Sequence, residues 1–216
     1  MPNPKRRADR RPLRLLVIGD STAEGVGAES GSVAELVAAC LSTDFVVTTS
    51  NLARRGARTG DVVRQQLPKA ARFKPSLVLI GLGANEVIRP RLWTKYAERR
   101  LYRETAELIR GLREHQPDLP IVHTGSPPMD TIPRIPKPLR RAVYRRVQYV
   151  NDVIRKTCRE ENAVYVELAN ETREAFARGS RELFSADRFH VNDAGYRLSA
   201  EPICRAVKAR IRSARS

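Results

Sequence analysis

The chain is predicted to fold as an α/β domain on a parallel sheet of five strands, with helices on both faces. Three observations predict it. Five short apolar or β-branched runs recur along the sequence, segments of helical periodicity lie between them, and glycines punctuate the ends of the early runs. Strands buried on both faces read as short continuous apolar runs, and strands alternating with helices form parallel sheets.

The elements follow in order. Leu13–Ile18 is an apolar run that stops at Gly19, a buried-strand signal. Ser32-Val33-Ala34-Glu35 reads as a capping box, and Val33, Leu36, Val37, Cys40 and Leu41 continue at helical spacing. Phe45–Thr49 is β-branched and strand-like. Thr59 is expected to cap a helix carrying Val62, Val63, Leu67, Ala70 and Ala71. Leu77–Ile80 is the third strand, punctuated by Gly81 and Gly83. Ala97, Leu101, Thr105, Leu108, Ile109 and Leu112 mark a long helix, and Pro120–Thr124 the fourth strand. Leu139, Ala142, Val143, Val147, Val150, Ile154 and Cys158 mark a second long helix, and Val164–Leu168 the fifth strand. Leu198, Ile203, Val207 and Ile211 lie on a closing helix that Pro202 is expected to kink. Seven of the 14 prolines fall within residues 117–138, which reads as a stiff, irregular loop.

At 216 residues the chain is one domain by the usual measure of about 150 residues each. Residues 13–216 are expected to form it, behind a basic arm at 1–12. A 41% hydrophobic content excludes wholesale disorder. No apolar run approaches the roughly 20 residues of a membrane helix. Leu15-Leu16-Val17-Ile18 is too short for a signal-peptide core, and cleavage there would remove Gly19-Asp20-Ser21, so a cytoplasmic protein is expected. Cys40, Cys158 and Cys204 are too dispersed for a disulfide framework or a zinc site and read as reduced, buried thiols.

The net charge is +16, from 40 Lys and Arg against 24 Asp and Glu. The excess is clustered in residues 5–14, 131–151 and 205–216. Such a field attracts anionic surfaces: nucleic acid, phospholipid headgroups or acyl-CoA-like phosphates. It also keeps a protein soluble, and by itself specifies no chemistry.

Ser21 stands in a Gly-Asp-Ser turn at the end of the first strand, where a hydroxyl can project to the sheet edge. A serine needs a base to become a nucleophile. Of the three histidines, His190 belongs to Asp187-Arg188-Phe189-His190, a spacing that lets one turn hold a carboxylate beside the imidazole. His115 and His123 read as structural or exposed. Acyl transfer also needs donors for the developing oxyanion. The backbone N–H of Ser21, the N–H of Gly56 and the side-chain amide of Asn85 come from three loops at the carboxyl ends of strands, where ligands sit in such sheets.

Taken in order, Gly19-Asp20-Ser21, Gly56, Gly83-Ala84-Asn85-Glu86 and Asp187-Arg188-Phe189-His190 resemble the four motifs of the SGNH (GDSL-type) serine hydrolases. The resemblance runs from about residue 13 to 211. The Ser126-Pro127-Pro128-Met129 stretch and the Arg140-rich helix are similar to small bacterial lipase and esterase members. Glu86 stands where the family usually has aspartate, and Thr22 where it usually has leucine. The resemblance implies a flavodoxin-like three-layer α/β/α sandwich. It implies Ser21 as nucleophile, His190 as base, Asp187 as its orienting acid, and Gly56 and Asn85 as oxyanion donors. A carboxylic-ester substrate is then expected, with no metal and no organic cofactor.

Two other classes stay open. One is a flavodoxin-like binder of a phosphate-bearing ligand, with Ser21 and Thr22 as contacts; it leaves Asp187 and His190 unexplained. The other is a basic nucleic-acid-binding protein, which lacks any recognised motif. Within the hydrolase reading, Ser126 to Arg146 is expected over the same edge as Ser21. Met129, Ile132, Ile135 and Leu139 would give apolar contact and Arg134, Lys137, Arg140 and Arg141 cations, a pairing suited to an anionic amphiphile such as a lysophospholipid or acyl-CoA. A solvated basic helix face gives the same pattern.

Overall fold

The computed structural model describes residues 10–88, 94–179 and 181–213. The strands are β1 (Arg11–Gly19), β2 (Phe45–Asn51), β3 (Leu77–Gly81), β4 (Ile121–His123) and β5 (Val164–Tyr165). They pair in parallel in the order β2-β1-β3-β4-β5. The helices are α1 (Ser21–Glu24), α2 (Val33–Leu41), α3 (Thr59–Gln65), α4 (Leu67–Phe73), α5 (Ala84–Ile88), α6 (Lys95–Arg113), α7 (Arg140–Glu160), α8 (Leu168–Arg178) and α9 (Asp193–Ser213). No helix among the described residues is long and apolar enough to cross a membrane.

Alternation along β1 builds the three layers, because successive strand side chains point to opposite faces. Leu13, Leu15 and Val17 pack with Val33, Val37 and Leu41 of α2 and Ile203 and Val207 of α9. Leu16 and Ile18 face the other way, onto Val62 of α3, Ala70 of α4, Ile109 of α6 and Val147 and Ile154 of α7. This is the α/β/α sandwich with the flavodoxin-like strand order. From β1 the chain turns to β2 on one side, then crosses back to β3 on the other. The loops leaving β1 and β3 therefore diverge and open a crevice, the usual ligand position in such sheets.

Several boundaries differ from expectation. β1 starts at Arg11, so Arg11 and Pro12 of the expected arm pair with Phe45 and Val46, while residues 1–9 lie outside the described residues. Proline is tolerated there because Arg14, two residues on, sends its N–H and C=O to Ser76 on the β3 side, and β3 pairs with β1 only from Leu15 onward. The expected helix from Thr59 to Ala71 is two helices, parted at Gln66, with proline in the first turn of the second. β5 is only two residues long, and Leu168 opens a helix that hydrophobic spacing did not flag. α9 continues through Pro202. Of the cysteines only Cys158 is buried; Cys40 and Cys204 are half-buried, because they sit on the flanks of α2 and α9.

At the carboxyl ends of β1 and β3 the two backbones nearly touch. Gly19 has φ +143°, and a Cβ there would lie 2.0 Å from the Gly81 carbonyl oxygen. Gly19→Ala is therefore expected to lose at least about 2 kcal/mol of stability, from overpacking and an unfavourable φ together. Gly31→Ala is the control, since its Cβ would meet nothing closer than 3.7 Å. Urea denaturation of the two variants checks this; equal midpoints would contradict it.

Candidate active site

Ser21 is the first residue of α1, and the turn that presents it is held from both sides. The Asp20 N–H donates to Gly81 O at 3.0 Å. The Asp20 side chain accepts from the Thr22 N–H at 2.9 Å, the usual cap for a helix start. Behind it, Gln66 acts as a substitute strand: its Oε1 accepts from the Gly19 N–H and its Nε2 donates to Gly19 O, both at 2.9 Å. Gln66 is buried, which explains the break between α3 and α4: its side chain is committed to β1.

The histidine arrives from the far end of the sequence. A tight turn over Ser185–Arg188 closes with Arg188 N–H to Ser185 O at 2.9 Å and puts Arg188 at φ 57°. In that turn Asp187 Oδ1 accepts from the Ser185 hydroxyl and from the Phe189 and His190 N–H groups at 2.7–2.9 Å. Asp187 Oδ2 lies 2.6 Å from His190 Nδ1, and His190 Nε2 lies 3.2 Å from Ser21 Oγ. An ionised carboxylate only accepts, so Nδ1 carries the proton and Nε2 faces the serine as an acceptor. Desolvation raises the Asp187 pKa, but the four donors outweigh it and hold the group well below the usual carboxylate range.

Glycine is needed where this turn meets the serine loop. Gly27 has φ +92°, and a Cβ there would lie 2.5 Å from Val191 O and 3.1 Å from His190 Cβ. α9 ties down the same loop: Tyr196 Oη donates to Val26 O at 2.9 Å, and Asp193 accepts from the Glu29 and Ser30 N–H groups.

Gly56 sits in the turn after β2 with nothing within 4 Å of the position a side chain would take. Asn85 lies on α5 after β3, and its Nδ2 donates to Ala57 O at 2.9 Å, joining the two loops. Its neighbour Glu86 is buried and accepts from the Thr59 N–H and hydroxyl, so Thr59 serves this contact rather than capping a helix. Neither remaining histidine touches Ser21. His115 is exposed, whereas His123 is fully buried in β4, accepts from the Gly125 N–H, and has its pKa pushed down to about 3 by burial.

An apolar cavity of about 40 Å³ opens beside His190, lined among others by Thr22, Pro127, Met129, Ile132, Phe184 and Phe189. Its proline-rich wall is fixed by Asn151, whose Oδ1 accepts from the Ser126 N–H at 2.7 Å while its Nδ2 donates to Ser126 O at 3.0 Å. Asp130, buried beneath the wall, pairs with Arg173 at 2.8 Å. Met129 and Ile132 thus reach the cavity, but Ile135 packs on the core and Leu139 is exposed. Gln66 and Asn151 carry no sequence signal, and Thr59 only that of a helix cap, because their partners lie 25 to 47 residues away. Among the described residues no group of three or more metal-binding side chains comes together. Chemically, the arrangement offers a hydroxyl with a base at hydrogen-bond distance, the base held by a carboxylate, next to an apolar hollow.

Residues 17–198 match the GDSL-like lipase/acylhydrolase family. No sequence among the curated proteins matches. The fold is similar to that of a lipase/acylhydrolase from Enterococcus faecalis (TM-score 0.69, 20% identity, 92% of this chain and 96% of that one). It is also similar to a lipase from a goat rumen metagenome (TM-score 0.71, 16% identity, 90% and 97%). A third likeness is an acetylxylan esterase from Geobacillus stearothermophilus (TM-score 0.62, 20% identity, 92% and 95%).

The buried turn has a pH signature. Burial raises the Asp20 pKa from 3.8 to about 7, against the pull of the Thr22 N–H, and the Glu86 carboxyl adds to the rise. A raised carboxyl pKa means the native state holds a proton that the unfolded chain has released. Its stabilisation is full below pH 3.8 and is lost as pH climbs toward 7. The Asp20 contribution to the unfolding free energy should therefore decline across that window. Asp20→Asn, which can still accept from the Thr22 N–H, should flatten the decline. Equal slopes for both proteins in urea titrations at several pH values would contradict it.

Proposed function

The chain belongs to the GDSL-like lipase/acylhydrolase family and is a carboxylic ester hydrolase, and on that premise we propose that it works through an acyl-enzyme on Ser21. The observation that carries the proposal is the contact of Ser21 Oγ with His190 Nε2 at 3.2 Å, with Asp187 behind the imidazole at 2.6 Å.

Ser21 Oγ attacks the ester carbon while His190 Nε2 takes its proton. The carbonyl oxygen becomes an oxyanion and accepts from the Ser21 N–H, the Gly56 N–H and Asn85 Nδ2. When the tetrahedral adduct collapses, the bond to the leaving oxygen breaks and that oxygen takes the proton from His190. Water then attacks the acyl group, His190 takes the water's proton, and the second collapse releases the acid and restores the Ser21 hydroxyl. Asp187 holds the tautomer and stabilises the imidazolium, and its depressed pKa keeps it ionised throughout. The contact of Ser21 with His190 favours this reading over a phosphate-ligand binder with Ser21 and Thr22 as contacts, which leaves Asp187 and His190 unexplained.

The substrate proposed is an anionic amphiphile. Met129 and Ile132 line the cavity, and the exposed Arg134, Lys137 and Arg141 follow on the same segment. The Arg134 N–H donates to Arg188 O at 3.2 Å, which fastens this cationic stretch to the turn carrying His190.

A fluorophosphonate should label the native enzyme and not Ser21→Ala, whose kcat should fall by roughly 10⁴-fold or more at unchanged melting temperature. Asn85→Ala should lower kcat by roughly 10²–10³-fold at nearly constant KM, because an oxyanion donor acts mainly in the transition state. Labelling of Ser21→Ala, or a pure KM effect at Asn85, would overturn the respective role.

The substrate class has its own test. With an anionic long-chain ester, kcat/KM should fall as salt rises toward 0.15 M, where screening acts over about 8 Å. A neutral short-chain ester should barely respond. Lys137→Glu with Arg141→Glu should reproduce the split at low salt, and equal responses of both substrates would remove the cations from substrate choice.

A further inference from the structure

Asn85 and Glu86 are neighbours on α5, and both grip the segment that follows Gly56. Asn85 Nδ2 donates to Ala57 O at 2.9 Å. Glu86 Oε1 accepts from the Thr59 N–H at 2.8 Å and from its hydroxyl at 3.0 Å. With the backbone, these contacts close a ring: Glu86 to Thr59, along the chain to Ala57, across to Asn85, and back to Glu86. Fixing Ala57 O fixes the amide of Asn85, which keeps one N–H for another acceptor. Fixing residues 57–59 also fixes the turn that presents Gly56.

Stability alone does not account for Glu86. It is 4% exposed, and among the described residues its Oε2 has no hydrogen-bond partner. Burial pushes its pKa up, against the pull of the Thr59 donors. A buried carboxyl with an unsatisfied oxygen is costly, and the Thr59 donors and the charge of Arg58 offset only part of the burial that raises its pKa. What the carboxyl supplies is a link between loops from two different strands.

We propose that Glu86 is a positioning residue for ester hydrolysis, which holds Asn85 and Gly56 in register by gripping Thr59. The proposal rests on the reading of Asn85 and Gly56 as oxyanion donors. A donor displaced by a fraction of an ångström stabilises the oxyanion less while ground-state binding changes little.

The experiment is steady-state hydrolysis of a neutral short-chain ester by Glu86→Ala, Glu86→Gln and Glu86→Asp, each checked for native melting. Glu86→Ala should lose kcat by about tenfold to a hundredfold with KM within about threefold of the native enzyme. Glu86→Gln keeps an acceptor at the same reach and should recover kcat to within about fivefold. Glu86→Asp, one methylene short of Thr59, should not recover. In an Asn85→Ala background, Glu86→Ala should cost far less than in the native enzyme, since it acts partly through the amide already removed. Should Glu86→Ala fail to fold, the Gln and Asp variants decide the matter by themselves. Unchanged kcat in Glu86→Asp, a loss confined to KM, or full additivity with Asn85→Ala would overturn the proposal. If Asn85→Ala itself leaves kcat intact while Ser21 still takes the fluorophosphonate, the oxyanion reading fails and this proposal falls with it. If Asn85→Ala behaves as expected and Glu86 does not, only the positioning role fails.

Discussion

Two backbones that nearly touch, at the carboxyl ends of β1 and β3, set the geometry on which the rest depends. Gly19 and Gly81 leave no room for a side chain between them, and the Asp20 N–H crosses the gap to Gly81 O. Because the sheet order reverses direction between these strands, the same point opens the crevice in which ligands of such sheets sit. The chain leaves β1, turns once at Asp20, and starts a helix at Ser21. A larger residue at Gly19 would push the strands apart and move the serine with them.

Beyond the strand ends, side chains do the work that a ladder does within the sheet. A buried backbone N–H or C=O needs a partner, and the loops at this edge have few strands to supply one. Gln66 answers both groups of Gly19, and Asn151 both groups of Ser126. Asn51 takes the Ala53 N–H and gives to Ala23 O, and Glu86 takes the Thr59 N–H. A carboxamide suits this task because it donates and accepts at once. The carboxyls in the same place fare worse. Asp20 Oδ2 and Glu86 Oε2 are buried without a partner among the described residues, and both groups are raised in pKa by burial. Such a concentration of unfavourable polar burial at one sheet edge is typical of a site kept for chemistry rather than for stability.

The Ser21, His190 and Asp187 contact combines a local device with a distant one. Asp187 and His190 are set by a single turn, within which the carboxylate meets its own chain's N–H groups. Ser21 lies 169 positions away, and the loop that follows it is tied to the start of α9, next to the histidine turn, through Tyr196 and Asp193. Gly27 then lets the turn come down beside the serine loop. The proline-rich segment contributes differently. Met129 and Ile132 reach the cavity, Ile135 packs on the core and Leu139 is exposed, while Arg134, Lys137 and Arg141 remain on the surface.

What the sequence determined by itself is local. Apolar runs and helical spacing located five strands and most of the helices, since burial on one or both faces leaves a periodic mark. The Gly-Asp-Ser turn, the Asp187–His190 spacing, Gly56 and Asn85 were legible because each is a turn or strand-end feature a few residues long. α8 escaped notice, and so did the break at Gln66 and the roles of Thr59, Glu86 and Asn151. Hydrophobic spacing cannot separate a strand that ends after Tyr165 from a helix that begins at Leu168. Nor can it show that a polar residue such as Gln66 faces inward, because its partner, Gly19, is 47 positions away and is a backbone group that any residue would present. Only the tertiary structure decided those pairings. They follow from which loops the sheet order brings to one edge, and that order is a property of the folded chain as a whole.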